Sequence, residues 1–143
     1  MSDDTLRSVR LERVGPGRFV VHNVRGGSIT IEGSGSEDFT PIELLLAAIS
    51  GCTAMDVEAI TGKRAEPTAF EITMTGHKVR DENGTNRMRD LSVEFHVTFP
   101  EDEGGDAARA VLPRAVQMSH DRLCTVSRTV ELGTPVATVI APA

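Results

Sequence analysis

Between Thr40 and Gly62 the chain is apolar at almost every position, and the rest of the pattern is arranged around this run. Ile42, Leu44, Leu45, Leu46, Ala47, Ala48 and Ile49 are followed by Ala54, Met55, Val57 and Ile60. These residues occupy every side of a helix and not a single stripe, so the first half is expected to be covered on most sides. Thr40 suits the N-cap, Pro41 the first helical position, and Glu43 completes a capping box. Gly62 is expected to end the helix in a left-handed conformation. Side chains shrink around Cys52 (Ser50, Gly51, Thr53, Ala54), which opens room for another backbone or a ligand. Gly51 costs a helix about 1 kcal/mol relative to Ala, so a packing or access reason is expected for it.

On either side the period changes to two. Arg7–Val14, Arg18–Val24 and Ser28–Glu32 alternate polar and apolar residues, with Gly15-Pro16-Gly17 and Gly26-Gly27 as turns, and predict a three-stranded meander. Residues 1–6 are expected to be loose, and Gly33–Phe39 to be a flexible approach to the helix. After a linker, Lys63–Pro67, come two alternating runs, Thr68–Val79 and Leu91–Phe99. They predict a hairpin across the polar loop around Asn83-Gly84, with one face of each strand buried. Asp106 can cap a second helix reaching to about Asp121, which Pro113 should kink or divide. Thr125–Thr129 reads as a turn or short helix, and Glu131–Ile140 as a closing strand. The order βββ-α-ββ-α-β predicts an α+β fold, an antiparallel sheet with the long helix against it, as one domain over residues 1–143.

Composition narrows the function classes. A chain of 143 residues suits one domain with an aliphatic core, since Trp and Tyr are absent and Phe occurs five times. A net charge of −6 disfavours nucleic acid or an anionic membrane as partner. No apolar run reads as long enough to span a bilayer, and the start MSDDTLRSVR does not resemble a signal peptide, so a cytoplasmic location is expected. His22, His77, His96 and His120 lack the spacing of a metal site. His120 reads as a helix-end histidine that could tune Cys124. Gly33-Ser34-Gly35 lacks the Lys of a phosphate loop.

The candidate chemistry rests on Cys52 and Cys124, too far apart in the chain to be a CxxC pair. Cys52 lies roughly 18 Å along its helix, beyond the useful range of that helix's own dipole. A cation is therefore needed to favour its thiolate, and a neighbouring arginine is the natural candidate. Asp56 is one turn beyond Cys52 on the same face. By itself it would oppose the thiolate, and it makes sense if it holds an arginine against the sulfur. Glu43 lies on the opposite side of the helix from Cys52 and about 13.5 Å along it, so it reads as a cap.

Two blocks carry a family resemblance. One is Pro41-Ile42-Glu43-Leu44 leading through Ala47-Ala48 to Gly51-Cys52; the other is Cys124-Thr125-Val126-Ser127-Arg128. With these blocks the chain resembles the OsmC/Ohr family of osmotically inducible and organic-hydroperoxide-resistance proteins. Asp56-Val57 and the loop approach are closest to its uncharacterised OsmC-like branch. The resemblance implies an intertwined homodimer with a site at each subunit junction, and no metal or organic cofactor. Cys52 would attack a hydroperoxide and Cys124 would resolve the sulfenic acid. An external dithiol, a lipoyl group in the best-studied branch, would then reduce the disulfide. The activating arginine would come from the amino-terminal strands, where Arg10, Arg13, Arg18 and Arg25 are available and Arg18, which begins a strand leading to an apolar run, is preferred. The peroxidase branch has a functional Glu at the place of Ile42, so Glu43 is one position displaced and could face only a partner's site. Ser127 and Arg128 set the local turn. Leu45, Ile49 and Met55 are expected to line an apolar substrate site. The expected function is a thiol peroxidase for organic hydroperoxides in oxidative stress defence. The alternatives are a small-molecule-binding or a redox-sensing dimer on the same fold.

Overall fold

The computed structural model describes residues 3–143. The chain divides into two units, Met1–Leu45 and Leu46–Ala143. In the first, β1 (Arg10–Gly15), β2 (Arg18–His22) and β3 (Ser28–Ile31) form an antiparallel meander in that order. Leu11 stands opposite Val21, and Val21 opposite Ile29. Gly17 supplies the positive φ of the first turn, at 67°. The Asn23 side chain closes the second by accepting the N–H groups of Arg25 and Gly27 at 2.8 and 3.0 Å. The N–H of Glu32 then donates to the Phe39 carbonyl at 3.1 Å, leading the chain to the long helix.

That helix, α1 (Pro41–Thr61), starts as the sequence predicts. The N–H of Thr40 donates to Glu43 Oε1 at 2.8 Å, and the N–H of Glu43 to Thr40 Oγ1 at 3.2 Å. Both arms of the capping box are therefore made. Its end differs from expectation. Gly62 is not left-handed; its N–H continues the helical pattern to the Glu58 carbonyl at 2.8 Å. The all-round cover predicted for the first half is also not found within the chain. One stripe at every fourth residue is buried (Ile49, Thr53, Val57, Thr61), whereas Ala47, Ala48 and Met55 are exposed. By length and composition α1 does reach the dimensions of a bilayer span, with a mean hydropathy of 1.5, which corrects the expectation that no run would. The likeness is one of length and composition only.

In the second unit, β4 (Ala69–Arg80) and β5 (Asn86–Thr98) form the predicted hairpin. Asp81 organises its loop by accepting the N–H groups of Asn83 and Thr85 and the Thr85 hydroxyl. Phe70, Ile72, Met74, Leu91, Val93, Phe95 and Val97 are half-buried and alternate with exposed polar neighbours. The Phe70 and Phe95 rings meet edge-on with centroids 6.4 Å apart.

Beyond the hairpin come α2 (Glu103–Met118), a π-helical turn (Ser119–Leu123) and α3 (Thr125–Leu132). The cap of α2 is Asp102, not the predicted Asp106, and it accepts the N–H of Gly105 at 2.7 Å. The helix begins earlier because Gly105 lets it close on the preceding loop; a Cβ there would lie 1.8 Å from the Pro100 carbonyl oxygen. Asp106 instead pairs with Arg109 at 2.7 Å. Pro113 does not divide the helix, which runs on to Met118 at the cost of one missing N–H. The predicted closing strand over Glu131–Ile140 does not form. α3 continues to Leu132 and stops at Gly133, left-handed at φ 65°. Beyond it Pro135 removes a donor, and Val136, Val139 and Ile140 are almost fully exposed with no strand to pair with.

Candidate functional site

Cys52 and Asp56 are four residues apart on α1 and so share a face. Cys124 reaches them from another direction, because the π-helical turn returns the chain at the end of α2. The Cys124 N–H donates back five residues to the Ser119 carbonyl at 2.9 Å, and Cys124 then caps α3. The two sulfurs and a carboxylate oxygen of Asp56 all lie within 4.8 Å of one another. Cys124 is fully buried and Cys52 half-buried, and both are free thiols.

A polar chain supports the cluster. The fully buried Ser119 hydroxyl donates to Asp56 Oδ2 at 2.8 Å and is 2.7 Å from the buried Thr53 Oγ1. Asp56 was expected to hold an arginine against the sulfur. Among the described residues its hydrogen-bond partner is Ser119, so the carboxylate is oriented by a neutral donor.

Burial pushes the Cys52 thiol above its ordinary pKa, and the neighbouring Cys124 and Asp56 push it the same way. The Val126 N–H, directed at the Cys52 sulfur from the first turn of α3, opposes them. The next N–H, of Ser127, donates to the Cys124 sulfur at 3.4 Å. The Cys124–Arg128 block thus aims two backbone donors of a helix N-terminus at the thiols, the charge complement that α1 cannot give them. As a donor set, two sulfurs and a carboxylate suit a thiophilic cation, and no histidine belongs to it.

The other predicted residues are dispersed. Ile49 is buried and lines a cavity of about 490 Å³ with Thr53, Met74, Phe95 and Ser127. Met55 is 74% exposed and belongs to a separate depression beside Glu58 and Lys63. Leu45 is half-buried in the amino-terminal unit, where Glu43 serves the capping box and Arg18 lies 3.9 Å from Asp38. Both ring nitrogens of His120 are engaged by carboxylates, Asp121 at 2.8 Å and Glu131 at 3.0 Å, which raise its pKa. The sequence reading missed Ser119. A serine before a histidine at a helix end carries no signal of burial, and only the π-helical turn brings it to Asp56.

Two antiparallel sheets, a long apolar helix and a convergent pair of thiols define an α+β protein with paired cysteines. Residues 33–139 match the family described as OsmC-like protein, and the chain belongs to that family. Protein YhfA of Escherichia coli K12 is 30% identical over 115 residues, covering 79% of this chain and 81% of YhfA. An OsmC-like protein of unknown function from Vibrio cholerae is 16% identical, with a TM-score of 0.75 over 89% of this chain and 94% of that one. The organic hydroperoxide resistance protein OhrB of Bacillus subtilis is 16% identical, with a TM-score of 0.54 over 85% of this chain and 90% of that one. At these identities the two structural likenesses are of fold.

Proposed function

We propose that this chain reduces organic hydroperoxides in defence against peroxide stress. Cys52 and Cys124 are its redox pair, an external dithiol its reductant, and a homodimer its working form. Cys52 attacks the distal peroxide oxygen, the alcohol leaves, and a sulfenic acid remains. Cys124 condenses with that acid, releasing water and forming a disulfide, which the dithiol reduces. The observation that carries the reading is the approach of two sulfurs 72 residues apart in sequence to within 4.8 Å. Backbone donors at both sulfurs support it. Ile49 offers an apolar wall for an alkyl group, and Arg18 is carried over from the family resemblance alone as the cation for the departing alkoxide. Exposed Ala47, Ala48 and Met55 on an apolar helix support a second copy as its cover, as does the open space beside Gly51.

A redox sensor is the second reading. It rests on the same two free thiols, which can close once into a disulfide without catalytic turnover. Steady-state reduction of cumene hydroperoxide by dihydrolipoamide separates the two. The peroxidase turns over repeatedly, and Cys52→Ser abolishes turnover. Stoichiometric formation of the Cys52–Cys124 bond without turnover supports the sensor. If one equivalent of hydroperoxide leaves both thiols free in peptide mapping, both readings fail.

A further inference from the structure

We infer that Asp56 is the proton acceptor for Cys124 when the two sulfurs close into a disulfide, an inference that rests on the thiol-pair reading above. Disulfide closure begins with a sulfenic acid on Cys52 and a thiol on Cys124. The Cys124 S–H bond must break as the S–S bond forms, and the S–O bond of the sulfenic acid must break with it. One proton leaves a sulfur, and one hydroxide leaving group needs a proton to depart as water. Cys124 has no solvent exposure, so its proton passes to a neighbouring group and not to bulk water.

Asp56 is positioned for both transfers. A carboxylate oxygen lies within 4.8 Å of each sulfur, so one group can take the proton from Cys124 and give it to the hydroxyl leaving Cys52. The sum is one sulfenic acid and one thiol converted to one disulfide and one water, with Asp56 returned unchanged. Ser119 donates to Oδ2 at 2.8 Å, which fixes the carboxylate's rotation. Thr53, against Ser119 at 2.7 Å, holds the serine in turn. Two backbone amides, of Val126 and Ser127, face the sulfurs, and neither can accept a proton. Among the described residues of this unit, the His, Cys, Asp and Glu side chains gathered here are Cys52, Cys124 and Asp56. His120, next to Ser119, is engaged by Asp121 and Glu131.

The role predicts a step-specific defect. A positioned base is worth about 10²-fold, so Asp56→Asn should slow disulfide closure by about that factor. Formation of the sulfenic acid should not slow, because Asp56 opposes the Cys52 thiolate and its neutralisation relieves that repulsion. Sulfenic acid should accumulate in the variant and be trapped by dimedone, whereas wild type passes on to the disulfide. Wild-type closure should be nearly level between about pH 6 and pH 8, while closure in Asp56→Asn climbs about tenfold per unit as hydroxide substitutes for the carboxylate. Asp56→Glu should recover part of the rate.

Closure in Asp56→Asn at or above the wild-type rate overturns the inference. That is the outcome if the carboxylate only repels the thiolates. A deficit that is the same at every pH also overturns it, because it marks a structural role. If the variant does not fold, the wild-type profile decides alone: a tenfold climb per pH unit rejects the internal base. Absence of any sulfenic acid or disulfide in wild type is a different result, and it overturns the parent reading of the thiol pair.

Discussion

Removing the Ser119 hydroxyl isolates what the buried polar chain contributes to stability. Ser119→Ala deletes one oxygen and leaves two groups without a partner. Thr53, 6% exposed, loses its hydrogen bond, and Asp56 loses the hydroxyl that orients it. An orphaned buried hydroxyl costs about 1–3 kcal/mol, and a hydrogen bond to a charged group is worth about 1.5–3 kcal/mol. Half-exposed Asp56 recovers part of its loss from water, so the expected destabilisation is about 2–4 kcal/mol. The two bonds join α1 to a turn 63 and 66 residues later, so their loss also loosens the end of α2. Urea unfolding of the reduced protein measures the change. Adding Thr53→Val should restore about 1–2 kcal/mol, because the orphaned hydroxyl is then gone and the volume kept. A loss in Ser119→Ala below about 0.5 kcal/mol would refute the reasoning, as would a double variant less stable than the single one.

Other parts of the chain make independent predictions. Gly105→Ala forces a methyl into the Pro100 carbonyl, 1.8 Å from its oxygen, and should cost about 3 kcal/mol or more in the same unfolding assay. His120 has its folded pKa raised above the ordinary histidine value of 6.5 by Asp121 and Glu131, so the stability it adds is present below that unfolded value and fades as pH rises through the folded one. The group is exposed, so His120→Gln should lose only about 0.5 kcal/mol at pH 5.5, and the difference from wild type should vanish in alkaline buffer. Arg18→Gln should lower the rate of sulfenic acid formation by about tenfold if Arg18 is the cation that stabilises the alkoxide, read by stopped-flow with cumene hydroperoxide. An unchanged rate removes Arg18 from the mechanism.

Most of the architecture was legible wherever a periodic pattern coincided with its punctuation. The meander, the hairpin and the start of α1 each have alternation or all-round apolarity bounded by glycines, an Asn-Gly turn or a capping box. The carboxy-terminal third was harder to read. Val136, Val139 and Ile140 are β-branched residues that favour a strand, yet among the described residues no strand pairs with them. Asp106 and Asp102 are equally good caps in sequence, and only the close approach at Gly105 decides between them. At the site, the two cysteines and Asp56 could be picked out by residue type and spacing. Ser119 and the amides of Val126 and Ser127 could not, because their roles depend on where a π-helical turn delivers the chain.

Cys124 is also the N-cap of α3, so a reactive atom forms part of that helix's foundation. Thiol and thiolate both accept the Ser127 N–H, whereas a sulfur bonded to another sulfur or to oxygen is a poorer acceptor. Any covalent change at Cys124 therefore loosens the first turn of α3 and, through it, the tethering of the exposed stretch after Gly133. Should the proposed disulfide form, protease sensitivity or amide exchange at the carboxyl end is expected to rise, and either can be read without reference to any substrate.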